Sequence, residues 1–272
     1  MEYPLLSLEL AREIELAEAE AAVACAENLI ASQGNDAGAV SGVAGGYAVY
    51  CGANSPVTQA VGLGLDGAVS KEEFAQLEDF YFSRKEPVRV ETCPMADRTL
   101  IENYRERGYY VSEFSNVMVR PVEKAAAALP EGIEIRKVLD GEIDFWTLTV
   151  AQGFAEHFPV TQEILGVMRL FASGKNTECY FASMDGKIAG GATLALRGRI
   201  AGLFGASTLP QFRNQGVQTA LLHARMRRAA ECGCELAMSI ALPGSASQRN
   251  ITRLGFRTLY TRVKFEKEFT VA

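Results

Sequence analysis

The stretch with the clearest chemistry runs Ser207-Thr208-Leu209-Pro210-Gln211-Phe212-Arg213-Asn214-Gln215-Gly216-Val217-Gln218-Thr219. Ahead of it, Ile200 to Leu209 is apolar, carries glycines and is closed by Pro210, the pattern of a strand. After it, Val217, Ala220, Leu221 and Ala224 fall at helical spacing. A strand that passes through a short polar loop into a helix sets several unpaired backbone N–H groups at one point. Such a point holds phosphate oxygens. Elsewhere, groups able to move a proton are sparse. Glu156 and His157 stand together on a connection between two expected helices. Tyr260 lies on the last expected strand, where a phenol either gives up a proton or simply packs. His223 sits among the alanines of the helix after the loop and reads as packed.

The elements downstream give the loop its context. Glu235 to Leu242 reads as a buried strand, Ser247-Gln248-Arg249-Asn250 opens a short helix, and Gly255-Phe256 leads into a final strand. Arg213-x-x-Gly216-x-Gln218 in this setting resembles the pyrophosphate loop of the GNAT N-acetyltransferases, usually Gln/Arg-x-x-Gly-x-Gly/Ala. Gln218 departs from the small residue usual at the last position. The resemblance implies acetyl-CoA as cofactor and a small-molecule or amino-acid-like amine as acceptor. It also implies that two parallel strands, Ala201–Leu209 and Glu235–Leu242, part to admit the pantetheine arm. Cofactor contacts are then expected from Ser207, Thr208, Leu209, Arg213, Asn214, Gln215, Gly216, Val217, Gln218, Thr219 and Asn250, with backbone amides near Ser207–Leu209 polarising the thioester. Many relatives carry a general-acid tyrosine four residues before the Gly of Gly-Phe; here that position is Ile251. Tyr260 is the nearest substitute, and Glu156 and His157 fall where the family often lines its acceptor site. The missing tyrosine keeps a second reading open, a non-catalytic acyl-CoA-binding or regulatory module.

The first half of the chain repeats this succession. A long helix is expected over Ser7–Ala31, a loop over Gly34–Gly46, strands at Gly46–Tyr50 and Gln59–Leu65, and a helix from Ser70 to about Ser83. Ser70-Lys71-Glu72-Glu73 has the capping-box pattern. A strand at Pro87–Thr92, a helix at Ala96–Arg107, and Gly108-Tyr109 before a strand to Arg120 complete the copy. Gly108-Tyr109 and Gly255-Phe256 lie 147 residues apart, and Gly62 and Gly202 lie 140 apart. The expected architecture is therefore α/β, of the α+β mixed-sheet kind, in two tandem GNAT-like acyl-CoA N-acyltransferase domains. They span residues 1–121, a degenerate copy, and 133–272, the acetyl-CoA-binding copy, joined by a linker at 122–132. Within the second copy, Ile133–Arg136 reads as a strand, Ile143–Phe154 and Gln162–Phe171 as helices, and Cys179–Met184 with Ile188–Leu196 as a hairpin about Asp185-Gly186. Gly62-Leu63-Gly64-Leu65-Asp66-Gly67 satisfies a dinucleotide fingerprint, with Glu91 as its acid. Ser70 as a cap, and Glu72 and Glu73 in the first turn, argue against a pyrophosphate there.

Bulk properties narrow the partners. A chain of 272 residues, 48% apolar, can bury two modest cores. A net charge of −6 gives no global field for nucleic acid or an anionic membrane. Arg225, Arg227 and Arg228 read as a solvated helix face. The six cysteines are scattered, and Cys232-Gly233-Cys234 has no second pair or histidine to complete a metal set, so buried free thiols and no metal are expected. The N-terminus lacks the pattern of a signal peptide, and no run spans a membrane. Cytoplasmic localisation is the expectation, with a homodimer the one assembly left open.

Overall fold

The computed structural model describes residues 2–123, 130–155 and 160–270. The chain forms two compact units, one of residues 4–118 with 240–272 and one of residues 119–239 with the N-terminal residues to Tyr3.

In the unit of 4–118 and 240–272, helix α1 (Leu8–Gln33) starts at Ser7, whose hydroxyl accepts from Leu10 N–H. Strands β1 (Ala39–Val43), β2 (Gly46–Tyr50) and β3 (Gln59–Val61) form an antiparallel run. β1 lies inside the stretch expected to be a loop. Its residues are small and mostly half-buried, so period-two alternation does not mark them, and their strand identity comes from pairing with β2. Helix α2 (Lys71–Phe82) leads to β4 (Val88–Thr92), which pairs parallel with β3. The expected capping box is formed: Ser70 Oγ accepts from Glu73 N–H, and the Glu73 carboxylate accepts from Ser70 N–H. Helix α3 (Arg98–Arg107) ends at left-handed Gly108, before β5 (Tyr110–Pro121).

The unit is completed by the far end of the chain. Helix α7 (Ala246–Arg253) and strand β11 (Arg257–Lys267) belong to it, and β11 lies between β4 and β5 in the strand order β1-β2-β3-β4-β11-β5. β11 runs antiparallel to β4, from Val263 opposite Thr92 to Lys267 opposite Val88. The packing thus divides the chain differently from the sequence segments 1–121 and 133–272: residues 240–272, expected with the second copy, pack with the first. The reason is pairing and burial. The apolar core of Phe74, Leu77, Tyr81, Leu100 and Tyr104 takes Phe265 from β11, stacked on Tyr104 at 4.3 Å between ring centroids.

The second unit holds β6 (Ile133–Lys137), α4 (Ile143–Phe154), α5 (Gln162–Ser173), β7 (Thr177–Met184), β8 (Lys187–Arg197), β9 (Ile200–Thr208), α6 (Val217–Glu231) and β10 (Leu236–Ala241). Its strands follow the order β6-β7-β8-β9-β10, antiparallel except for the parallel pair of β9 and β10. Trp146 anchors α4 to the sheet, fully buried and donating to Tyr180 C=O at 3.0 Å. Gly191 makes this close approach feasible, since a Cβ there would lie 2.7 Å from the indole nitrogen.

Candidate functional site

The loop between β9 and α6 begins with a single turn of 3₁₀ helix, Pro210–Phe212, set by proline at its first position. Asn214 follows at φ 61° and Gly216 at φ 88°. The left-handed backbone explains the glycine, since a Cβ at Gly216 would meet nothing closer than 3.6 Å and conformation, not space, is what excludes other residues. Gly216 is the N-cap of α6, and it has no side chain to close the helix end. The N–H groups of Val217, Gln218 and Thr219 are therefore the ones a ligand oxygen can use.

Gln218 does not close the loop. Its amide nitrogen donates to Thr208 Oγ1 at 3.0 Å, which ties the first turn of α6 to the end of β9. Gln215 turns back in the same way, to Gln211 C=O at 3.0 Å. Arg213 is exposed, and its guanidinium donates to Gly153 C=O at 3.1 Å in the last turn of α4, where a cation suits the helix dipole.

Strands β9 and β10 pair only at their starts. Their parallel ladder covers Ile200–Gly202 against Leu236–Met238. At the next position Ser239 Oγ donates to Leu203 C=O at 3.1 Å, a side chain taking over from the ladder. On the opposite edge of β9, the ladder with β8 shifts register between Gly191 and Thr193, where Thr193 faces Phe204 and Gly191 faces Ser207. One extra residue on β9, with Gly205 at φ 53°, makes a bulge with a left-handed glycine. Beyond it Leu209 N–H donates to Ala189 C=O at 2.9 Å. This corrects one expectation: the Leu209 amide is already committed to β8 and cannot polarise a thioester. Backbone direction alternates along a strand, so the Thr208 N–H turns to the other edge, towards the parting. Gly153 leaves that nitrogen room, since a Cβ there would stand 3.1 Å from it and collide with Ser207 Oγ. The buried Ser207 hydroxyl is itself spent on Val150 C=O at 2.9 Å.

The structure thus brings Ser207, Thr208, Leu209, Arg213, Asn214, Gln215, Gly216, Val217, Gln218 and Thr219 together around one helix end. Sequence reasoning missed Gly153, Ala189 and Ser239, which shape the same place. Gly153 alone carried a signal, as a glycine inside a helical pattern. The remaining expected residues lie elsewhere. Asn250 is exposed on α7, in the unit of 4–118 and 240–272, where its side-chain oxygen accepts from Arg253 at 3.2 Å. Tyr260 belongs to that unit too, is 5% exposed, and donates to Glu15 Oε1 at 2.6 Å. Burial, with the Glu15 charge beside it, pushes its pKa up, so it stays protonated as a core phenol. Glu156 and His157 lie outside the described residues.

The first copy offers no counterpart. The N-terminus of α2 is closed by the Ser70–Glu73 box, and Gly62–Gly67 carries the Asp66 carboxylate, paired with Arg12 at 2.9 Å, where a pyrophosphate would need donors. Tyr104, at the position where relatives of the second copy keep their acid, is buried and shares a hydrogen bond of 2.9 Å with Thr92 Oγ1. Arg225 corrects the solvated reading of the α6 arginines: it is 3% exposed, with its pKa pushed down by burial to about 10. Arg228 pairs with Glu178 at 3.0 Å, and Arg227 is exposed. Five cysteines are buried as expected, whereas Cys232 is exposed. Among the described residues no cluster could hold a metal ion, and no helix is long and apolar enough to cross a membrane.

Residues 144–256 match the sequence model of the Acetyltransferase (GNAT) family. No curated protein matched the sequence. Among solved structures, a GCN5-related N-acetyltransferase from Kribbella flavida aligns over 91% of this chain and 95% of its own, at 15% identity and a TM-score of 0.65. A tandem GNAT protein from the clavulanic acid biosynthesis pathway aligns over 94% of this chain and 96% of its own, at 15% identity and a TM-score of 0.58. These likenesses concern the fold. Residues 144–256 thus match a GNAT-family model, and the chain as a whole has the tandem GNAT fold.

Proposed function

We propose that the protein is an acetyl-CoA-dependent N-acetyltransferase acting on an amine of a small-molecule or amino-acid-like acceptor. The observation that carries this reading is the open N-terminus of α6 behind left-handed Gly216, beside a β9 that has left its parallel partner. The donor set fits the group. Backbone N–H groups of Val217, Gln218 and Thr219 would hold the pyrophosphate, and the Thr208 amide would receive the thioester carbonyl as charge builds on its oxygen. Acetyl-CoA would supply the acyl group as a thioester; the chain supplies binding, orientation and the exclusion of water. Glu156 and His157 are proposed for the acceptor side. The sequence copies 1–121 and 133–272, with 122–132 between them, are proposed as the evolutionary repeat.

A second reading, an acyl-CoA-binding module without turnover, is favoured by Ile251 at the usual acid position and by the buried, committed hydroxyl of Tyr260. The test is thermal unfolding with and without acetyl-CoA, on the wild type and on Gly216→Asp, followed by an amine panel. A ligand at 100 times its dissociation constant stabilises by about 2.7 kcal/mol, worth roughly 2–4 °C per kcal/mol at this size. The wild type should gain several degrees and Gly216→Asp none. A wild type that gains nothing overturns both readings, and a gain without acetylated product selects the second.

A further inference from the structure

A bulge in an antiparallel ladder leaves carbonyls that their partner strand no longer serves. In β9 the bulge falls between Phe204 and Ser207, immediately before the residues that turn towards the parting. The donor that meets it comes from α6. Arg225 Nη1 donates to Thr193 C=O at 3.0 Å, with a longer contact of 3.5 Å to Phe204 C=O. These two residues face each other at the last regular step before the shift. Nε of the same guanidinium donates to Leu221 C=O at 3.1 Å, one turn back along α6, which fixes the side chain against its own helix.

An arginine is costly to bury, and these partners are backbone carbonyls. An apolar side chain would fill the space between helix and sheet at lower cost, so the stability of the core does not by itself explain the residue. What the guanidinium provides is a fixed relation between two parts of one site. The helix whose N-terminus would take the pyrophosphate is hydrogen-bonded, at its middle, to the irregularity that directs Thr208. Gly205 contributes from the other side: its backbone is left-handed, and a Cβ there would stand 3.2 Å from Thr193 Oγ1, so the strand passes close over the same residue that Arg225 holds.

We infer that Arg225 is a positioning residue, which holds the β9 bulge so that the Thr208 amide is presented to the thioester end of the cofactor. This rests on the acetyl-CoA reading above for its consequence, though its structural content does not.

The experiment uses the full chain as wild type, Arg225→Met and Arg225→Lys, with two readouts. The first is residue-resolved amide hydrogen exchange. In Arg225→Met the amides of residues 204–209 should exchange about tenfold faster or more, on the scale of one lost buried hydrogen bond, while those of 200–202 and of α6 keep their protection. Arg225→Lys, which retains a donor, should recover part of it. The second is binding of acetyl-CoA against 3′-phospho-ADP, the half of the cofactor without pantetheine or thioester. Acetyl-CoA affinity should fall in Arg225→Met, and 3′-phospho-ADP affinity should stay within twofold. A uniform acceleration across the unit, unchanged exchange at 204–209, or equal losses for both ligands would overturn the inference. Should Arg225→Met fail to fold, the same pattern is read, in smaller amplitude, from Arg225→Lys. If the wild type binds neither ligand, the function proposed above fails, while the exchange pattern still decides whether Arg225 holds the bulge.

Discussion

Glu15 and Arg262 are both fully buried, 247 residues apart in sequence, and their charges meet at 2.8 Å. Glu15 Oε1 also accepts from Tyr260, and Arg262 Nη1 reaches Glu18 Oε2 at 2.5 Å. One guanidinium therefore serves two carboxylates. Lys264 serves two more, Glu91 at 3.1 Å and Glu113 at 3.0 Å. With acids in excess, the easiest relief is a proton. Burial, opposed by Arg262 and reinforced by the charges of Glu15 and Glu91, pushes the pKa of Glu18 from 4.5 up to about 7. The sign follows from proton binding. Between about pH 4.5 and 7 the folded protein keeps a proton that the unfolded chain gives up, so stability falls as pH rises through that window. The slope is at most about 1.4 kcal/mol per pH unit for one proton. Glu18→Gln should flatten the fall and gain stability relative to the wild type at pH 8. Denaturant titrations of both proteins across that range check it; parallel curves would show that Glu18 does not carry the proton.

Strand β9 shows at the scale of an element how one irregularity serves a site. β8 pairs with it on both sides of the Gly205 bulge, from Ile200 opposite Arg197 to Thr208 opposite Gly190, whereas β10 pairs only with its first three residues, and the Thr208 N–H turns to the β10 edge. Gly205→Ala places a Cβ in left-handed backbone and against Thr193 Oγ1. The conformational penalty alone is roughly 1–2 kcal/mol, and chemical denaturation should find a loss of at least that size. An unchanged midpoint would mean that the strand accepts a different register without cost. Helix α2, by contrast, has its N-terminus closed by Ser70 and Glu73. Capping chemistry thus separates α2, whose first N–H groups are taken, from α6, whose Gly216 N-cap leaves them open.

At the scale of the whole molecule, residues 240–272 belong to the packing of residues 4–118. Strand β11 brings Tyr260, Arg262, Lys264 and Phe265 into that unit, so its charges and its core are completed by the end of the chain. A fragment of residues 133–272 should accordingly leave β11 without β4 and with Arg262 lacking both carboxylates. We expect it to aggregate, or to unfold with reduced cooperativity compared with the full chain. A monomeric fragment with a sharp transition at the full-chain temperature would show instead that β11 can complete the second copy.

Much of this was legible in the sequence because it rests on local rules. The phosphate-type loop needs only a strand, a left-handed glycine and a helix start. The capping box is a four-residue pattern, and the glycines of Gly108-Tyr109 and Gly255-Phe256 are legible because both helix ends demand the same left-handed backbone, φ 75° and 86°. Gly62 and Gly202, matched by the same alignment, differ: Gly62 has φ 82° after β3, while Gly202 lies within β9 at the last step of its parallel ladder. Tertiary structure alone decided what depends on partners far along the chain. It placed Tyr260 against Glu15, buried Arg225 against the β9 bulge, made a strand of Ala39–Val43, and assigned β11 to the first unit. Spacing can reveal that a side chain faces inward, but the group it meets there is chosen by strand pairing and burial across hundreds of residues.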